Sequence, residues 1–211
     1  MRNPITRTGR TLAAAAGMTA ALAGATAAQA EPQTFKIDEA HSDIAFMITH
    51  FGYSDAIGEF TDFSGTFTID KENPDNAAVN VTIQADSVDT QHDKRDEHIR
   101  SPDFLNVKEY PEITFTSTDV EKTGENTAEI TGELTLHGTT KPVTLDVTLN
   151  KLGEHPLPQY NGILTAGISA RGTIERSDFG VSKYTPAIGD EMELLIEIEG
   201  FAQDQLDKLP E

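Results

Sequence analysis

From Phe35 onward, apolar and polar side chains alternate with a period of two, and clusters of Gly, Asp, Asn and Pro cut the alternation into separate runs. Val, Ile, Thr and Phe dominate these runs, a pattern that predicts strands rather than helices. Eight runs can be counted. In the first, Ser42, Ile44, Phe46, Ile48 and His50 share one face, while Asp43, Ala45, Met47 and Thr49 share the other. The next four present Phe63, Gly65, Phe67 and Ile69; Val79, Val81, Ile83 and Ala85; Ile113, Phe115 and Ser117; and Ile130, Gly132, Leu134 and Leu136. The last three present Val143, Leu145, Val147 and Leu149; Leu164, Ala166, Ile168 and Ala170; and Met192, Leu194, Ile196 and Ile198. One-sided strands with no helices between them must curl until their apolar faces meet, which predicts an all-β fold, a sandwich or a closed barrel. Eight antiparallel strands suit a barrel. Closure removes the sheet edges, and at this strand number the interior is either just filled by side chains or just able to hold one small ligand.

Gln91 to Tyr110 breaks the pattern. It is charged, lacks the two-residue alternation and ends at Pro111, which predicts a long loop with a short helical turn, the kind of segment that acts as a lid or functional loop. Gly153 to Gly162, with Pro156, Pro158 and Asn161-Gly162, reads as turn chemistry. Gln203 to Glu211 reads as a frayed tail.

The first thirty residues change the picture of where the protein works. Arg2, Arg7 and Arg10 precede an uncharged stretch from Thr11 to Ala28, and Ala28-Gln29-Ala30 has the small-x-small form cleaved by signal peptidase. The stretch is mostly alanine, with Leu12, Met18 and Leu22 as its large apolar residues, which suits cleavage better than retention as an anchor. Residues 1–30 therefore read as a signal peptide and residues 31–211 as one exported, periplasmic domain. Thr8 and Gly9 separate Arg7 from Arg10, so general secretion is expected rather than twin-arginine export.

Charge narrows the partners. Removing Arg2, Arg7 and Arg10 from the 16 basic residues leaves 13 against 35 acids, a formal charge of −22. A surface this acidic repels nucleic acid and anionic headgroups, so neither nucleic-acid binding nor stable membrane insertion is expected. The chain has no cysteine, so burial alone must hold the fold.

Familiar catalytic signatures are absent: there is no cysteine nucleophile, no Gly-x-Ser-x-Gly elbow and no glycine-rich phosphate cradle. His92-Asp93 and Asp96-x-His98 carry the right donors for a divalent ion, but the intervening Lys94 and Arg95 would repel one. The bland reading of this loop, a solvated segment with an ion pair between Asp96 and Arg95 or Arg100, is preferred, and no metal site is expected. His41 and His137 read as hydrogen-bonded turn histidines, whereas His50 lies on the inward register, where a polar group must find a partner or a ligand.

Several ordered motifs are similar to the YceI-like family. They are Asp38-x-x-His41-Ser42, His50-Phe51-Gly52, Gly58-x-Phe60-x-x-Phe63-x-Gly65, Arg95-Asp96-x-His98-Ile99-Arg100-Ser101-x-x-Phe104 and Tyr110-Pro111-x-Ile113-x-Phe115. Gly132-Glu133-Leu134-Thr135-Leu136-His137-Gly138-Thr139-Thr140-Lys141-Pro142-Val143 and Arg176-Ser177-Asp178-Phe179-Gly180 continue them. The resemblance spans roughly 35–202. It implies a lipocalin-like, eight-stranded barrel whose lumen binds polyisoprenoid chains, such as isoprenoid quinones or polyprenyl phosphates, in the periplasm, often as a homodimer. No catalytic role is implied, and no cofactor beyond the bound lipid.

The residues expected to wall such a lumen are Ile44, Phe46, Ile48, Phe63, Phe67, Val81, Ile83, Phe104, Phe115, Leu134, Leu136, Leu145, Val147, Ile168, Leu194 and Ile196. At the mouth, His50, Arg95 and Arg100 would reach a headgroup. A chain-shaped ligand also follows from dimensions, since strands of about ten residues at about 3.4 Å each make a tube of roughly 34 Å before tilt. The alternative function is an enzyme acting on a lipid headgroup, or on a metal-dependent substrate, through the 91–101 loop.

Overall fold

The computed structural model describes residue 1 and residues 31–210. The expected signal peptide and its cleavage site lie outside the described residues.

The strands are β1 (Gln33–Ile37), β2 (Asp43–His50), β3 (Ser54–Phe60), β4 (Phe63–Ile69), β5 (Ala78–Gln84), β6 (Val88–Asp89), β7 (Glu112–Lys122), β8 (Thr127–Leu136), β9 (Thr139–Glu154), β10 (Leu164–Glu175) and β11 (Ile188–Ala202). A single α-helix among the described residues, α1 (Asp93–Arg100), lies between β6 and β7. Every pairing is antiparallel. β11 closes the sheet by pairing with β1, Phe35 opposite Ala202, and with β2, Ile44 opposite Ile196.

The eleven segments are eight staves, because three staves are broken in mid-course. β4 pairs with β1 while β3 pairs with β2, and β5 pairs with β4 while β6 pairs with β3. Thus β1–β2, β3–β4 and β5–β6 each run as one kinked stave, and β7 to β11 supply the other five in sequence order. The result is the expected eight-stranded, closed, up-and-down antiparallel barrel. Each of the eight alternating runs marks one stave.

The three breaks lie side by side. Between β1 and β2, Asp38 caps a short 3-10 turn by accepting from the Ala40 amide at 3.2 Å, and its Oδ2 lies 2.6 Å from His41 Nδ1. Ser42 Oγ accepts from the Glu199 amide at 3.0 Å, so a side chain replaces the ladder bond lost at the break. Beside it, Thr61 donates its amide and hydroxyl to Ser87 O, and Gln84 N donates to Asp62 O at 2.9 Å. Each break reverses the inward parity of its stave. Phe35 and Ile37 face in on β1, but Ile44 and Phe46 do so on β2; likewise Phe67 on β4 against Phe60 on β3.

One end of the barrel is packed shut. Phe35 is fully buried and stacks on Phe67 with ring centroids 5.2 Å apart, backed by Ala166 and Ala202. The C-terminal segment is docked there rather than frayed, because Gln203–Lys208 forms a 3-10 helix. Gln205 Oε1 accepts from the Leu164 amide at 3.1 Å, and Lys208 O accepts from Asn161 Nδ2 at 2.9 Å. Burying the amide of the first β10 residue against a side chain satisfies a donor that a free tail would leave to water. The Gly153–Gly162 turn is shorter than the sequence pattern suggests, since β9 continues to Glu154.

Candidate functional site

The inward faces enclose a cavity of about 670 Å³, within the few hundred to one thousand Å³ of ligand-binding sites. Of the sixteen residues expected to wall a lumen, all but Phe63 line it. Phe63 opens β4 directly after the Thr61–Asp62 break, opposite Ile83, and is buried in the packed core without reaching the cavity. Wall residues not singled out from the sequence include Ile113, Ile130, Val143, Met192 and Ile198, which extend the same alternating runs and were legible by register alone. Phe60, Val88, Leu105 and Val181 come from kinks and loops, where no periodicity marks an inward face.

Glycines keep the tube open. An ideal Cβ on Gly132 would lie 2.4 Å from Phe115 Cζ, and one on Gly58 would lie 2.4 Å from Phe46 Cζ. Each large ring therefore lies flat over a bare stretch of neighbouring backbone instead of projecting across the axis. Gly200 leaves the same space beneath Phe67, 2.6 Å from its Cε1. Length follows from the strands. β9, with 16 residues, runs roughly 50 Å at about 3.3 Å each, or about 40 Å along the axis after a tilt near 40°.

Opposite the packed end, the lumen reaches the surface between the β2–β3 hairpin, α1 with its following loop, and the β10–β11 loop. Phe51 and Tyr184, both about half exposed, line it here. The Phe51 amide donates to Ala187 O at 2.7 Å and ties two of these loops together. Tyr184 in turn sits 6.2 Å, centroid to centroid, from both His98 and Phe104.

The polar side chains of the lining gather at this mouth. They are His50, Thr90, His92, Lys94, Arg95, His98, Arg176 and Tyr184. Arg95 donates through Nε to Thr90 Oγ1 at 2.6 Å and through Nη2 to Thr90 O at 2.5 Å. Asp96 is buried and accepts from the Thr90 amide at 2.9 Å and from the Thr90 hydroxyl. The expected Arg95–Asp96 ion pair is therefore replaced by Thr90, which bonds to both side chains at once. Burial works against the Asp96 charge, but the Thr90 bonds and the nearby Arg100 charge prevail and hold its carboxyl below the usual range.

Arg100 does not reach the mouth. Its guanidinium turns away to donate to Asp86 O at 2.6 Å and Val88 O at 2.5 Å, pinning the broken β5–β6 stave to α1. It satisfies carbonyls that the break leaves without ladder partners. His92 accepts from the Arg95 amide as the cap of α1, and His98 Nε2 lies 3.1 Å from Asp103. These partners turn His92, Asp96 and His98 to three different neighbours. Among the described residues no group of three His, Cys, Asp or Glu side chains converges as metal ligands would. His50 packs edge-on against Phe51 with centroids 4.5 Å apart, and His137 Nδ1 lies 3.2 Å from Phe179 O, as expected of a turn histidine.

Arg176 is a polar lining residue that sequence reasoning missed. It is 2% exposed and lines the cavity. Its guanidinium donates to Gly189 O at 2.7 Å, Val181 O at 2.7 Å, Lys183 O at 3.0 Å, Ile188 O at 3.1 Å and Thr185 Oγ1 at 2.8 Å. All five acceptors are neutral. Desolvation lowers its pKa from the ordinary arginine value and Asp190 partly restores it, but a guanidinium stays charged in proteins. The Arg176-Ser177-Asp178 motif shows a cation in the sequence; only the fold shows it sealed in beside the lumen.

The site is thus the long apolar lumen of a closed barrel with one polar mouth. Residues 35–200 match the model of the YceI-like domain, and the chain belongs to that family. A UPF0312 protein of Pectobacterium carotovorum is 47% identical over 182 residues, covering 86% of this chain and 92% of that protein. Protein YceI of Salmonella arizonae is 45% identical over 171 residues, 80% and 87% of the two chains. Among solved structures, a Campylobacter jejuni YCEI protein superposes with a TM-score of 0.66 at 32% identity, over 74% of this chain and 90% of that one. Burkholderia cenocepacia BcnA superposes with a TM-score of 0.70 at 24% identity, over 77% and 98%. A polyisoprenoid binding domain from Saccharophagus degradans shares the fold, with a TM-score of 0.57 at 16% identity over 81% and 99%.

Proposed function

We propose that this chain is a periplasmic binding or carrier protein, without catalytic activity, that holds a long isoprenoid lipid in its lumen. The observation that carries this reading is the continuous apolar cavity of about 670 Å³, walled by side chains from all eight staves and open at one end. Each methylene moved from water into such a wall contributes about 0.8 kcal/mol, so a chain of many carbons binds tightly with few polar contacts. The Saccharophagus degradans domain, described as polyisoprenoid-binding, supports an isoprenoid over a straight acyl chain. Export rests on the sequence pattern of residues 1–30. Among the described residues no helix is long and apolar enough to cross a membrane. We read residues 31–211 as a single barrel domain that needs no cofactor besides its lipid and whose copies pair as a homodimer.

Native mass spectrometry of protein purified from the periplasm of its own host tests this. The expected result is a bound mass that fragments in five-carbon steps. Protein that emerges bare, and that also fails to take up geranylgeraniol or an isoprenoid quinone added back in detergent, overturns it.

A further inference from the structure

Among residues 31–210, five large apolar side chains are exposed: Phe51, Tyr53, Ile57, Leu157 and Tyr184. Leu157 lies at the packed end, in the turn between β9 and β10. The other four belong to the β2–β3 hairpin and the β10–β11 loop, the two segments that frame the opening of the lumen together with α1. Tyr53 is 91% exposed and lies outside the lining, so the lumen itself does not account for it.

The backbone fixes these rings in place. Phe51 and Tyr184 have φ of +52° and +62°, a left-handed conformation that bulky side chains rarely adopt and that tends to persist at functional positions. The Tyr53 amide donates to His50 O at 3.1 Å across the hairpin turn, the Ile188 amide donates to Tyr184 O at 3.0 Å, and the Phe51 amide joins the two loops through Ala187 O at 2.7 Å. Three aromatic rings are therefore displayed on one tied unit. Charge is sparse on it. In a chain with 35 acids, residues 50–54 and 181–187 contain no Asp or Glu and one basic residue, Lys183, whose partner Asp103 lies 3.2 Å away. Asp55, next along β3, accepts from Thr49 at 2.8 Å, and α1 balances three acids with three bases.

We infer that these loop tips are a docking face for the surface of a zwitterionic lipid bilayer, on which the protein lands mouth first to take up or release its lipid. The inference rests on the reading of the lumen as a lipid site and adds the surface with which that lipid is exchanged. Aromatic rings, tyrosine above all, settle at the level of lipid headgroups, where one edge is apolar and the other wet. A second copy or a protein seated on the same tips would stopper the opening, whereas a bilayer holds the ligand. Direct contact also keeps a long apolar chain from passing through water, where its whole length would be wetted. The acidic body opposes anionic headgroups, so the contact is confined to the tips and is reversible.

The test is flotation of lipid-stripped periplasmic protein with phosphatidylcholine vesicles, paired with uptake of tritiated geranylgeraniol from the same vesicles. The protein is expected to float equally well at low salt and at about 0.5 M salt, where charge attraction is screened. Tyr53→Ser should lower the partition about tenfold, the share of one aromatic ring, and slow uptake by a similar factor, with affinity for geranylgeraniol in detergent unchanged. Tyr53→Trp should keep both, and Leu157→Ser, which removes an exposed apolar side chain at the packed end, should alter neither. Wild-type protein that stays with the aqueous fraction, or Tyr53→Ser that floats and loads like wild type, overturns the docking face but leaves the carrier reading standing. Flotation that vanishes in salt assigns the contact to charge, and Tyr53→Ser that floats normally but turns a dimer into a monomer assigns the patch to a second copy; both overturn the inference. Failure to take up geranylgeraniol from vesicles and from detergent alike refutes the carrier reading itself.

Discussion

Whether the lumen is a tube or a packed core is decided most sharply at Gly58. It faces Phe46 across the β2–β3 ladder, and an added Cβ would lie 2.4 Å from Phe46 Cζ, 2.9 Å from its Cε1 and 2.9 Å from Thr90 Cγ2. Carbon atoms in contact sit about 3.5–4.0 Å apart, so Gly58→Ala must drive the ring roughly 1 Å from the wall. In an open tube the ring moves into the lumen. Leaving its rotamer well costs about 0.5–1.5 kcal/mol, while the stiffer alanine backbone returns about 0.4–1 kcal/mol, so the net change in stability should be within about 1 kcal/mol of zero. The ligand bears the rest. Losing the contact of one or two methylenes costs it about 0.8–1.6 kcal/mol, a roughly fourfold to fifteenfold weaker affinity. The assay is a thermal melt of lipid-stripped protein together with a geranylgeraniol titration, and adding Phe46→Leu, which removes the displaced ring edge, should restore affinity. A filled core would instead show overpacking of up to about 3 kcal/mol in the melt. Unchanged affinity in Gly58→Ala, or failure of Phe46→Leu to rescue it, would refute the reasoning.

Replacing Phe115 by Asp should leave a folded protein that loses its lipid by several kcal/mol, because the charge faces the bound chain but meets water in the empty tube; unfolding in the melt would contradict an open lumen. Arg100→Ala should lower stability by about 1.5–3 kcal/mol, the range for hydrogen bonds from a charged group, without changing geranylgeraniol affinity, since Arg100 lies outside the lining; denaturant unfolding and titration read the two separately. Because Asp96 has a depressed pKa in the folded state, its contribution is present above the ordinary aspartate pKa near 3.8 and is lost as pH falls through the lower folded value. Hydrogen exchange should therefore show α1 loosening at acid pH in the native protein, and Asp96→Asn should remove that step. N-terminal sequencing of periplasmic protein should begin at Glu31; material that starts at Met1 would overturn the cleavage assignment.

Much of the barrel was legible because alternation survives wherever a strand has one wet and one dry face. Each alternating run fell within one stave, and the wall positions it nominated reached the lumen, apart from Phe63. The basic mouth was half legible. Lys94, Arg95 and His98 stood out as a charged break in the pattern, but nothing in a linear reading separates Arg95, at the lumen, from Arg100, which turns toward the carbonyls of Asp86 and Val88. Both lie on α1 five residues apart, and their difference depends on which neighbouring strand has broken its ladder. Arg176 was invisible for a related reason: burial of a cation is decided by the loop that folds around it, and its five acceptors come from residues 181–189.

The parity reversals explain what the alternation concealed. β1 and β3 escaped notice because each continues a stave in the opposite register, so a reader following Ile44, Phe46 and Ile48 backward meets Asp38 and Lys36 where an inward residue should be. A one-residue slip ordinarily turns an entire apolar face outward, which is why isolated slips are selected against. Here three adjacent staves slip at the same level, so the faces stay matched across the sheet and no stave is left with its apolar side in water. The lost ladder bonds are replaced by short side chains, Ser42 to Glu199, Thr61 to Ser87 and Ser87 to Gln84, each supplied by the residue at the break. Below it, Phe35 and Phe67 stack at the floor of the lumen, while Val81 and Ile83 continue its wall; above it, Phe46 and Phe60 face the cavity, with Phe46 resting over Gly58. The break therefore changes which positions face inward without interrupting the wall, which runs through both halves of the same three staves.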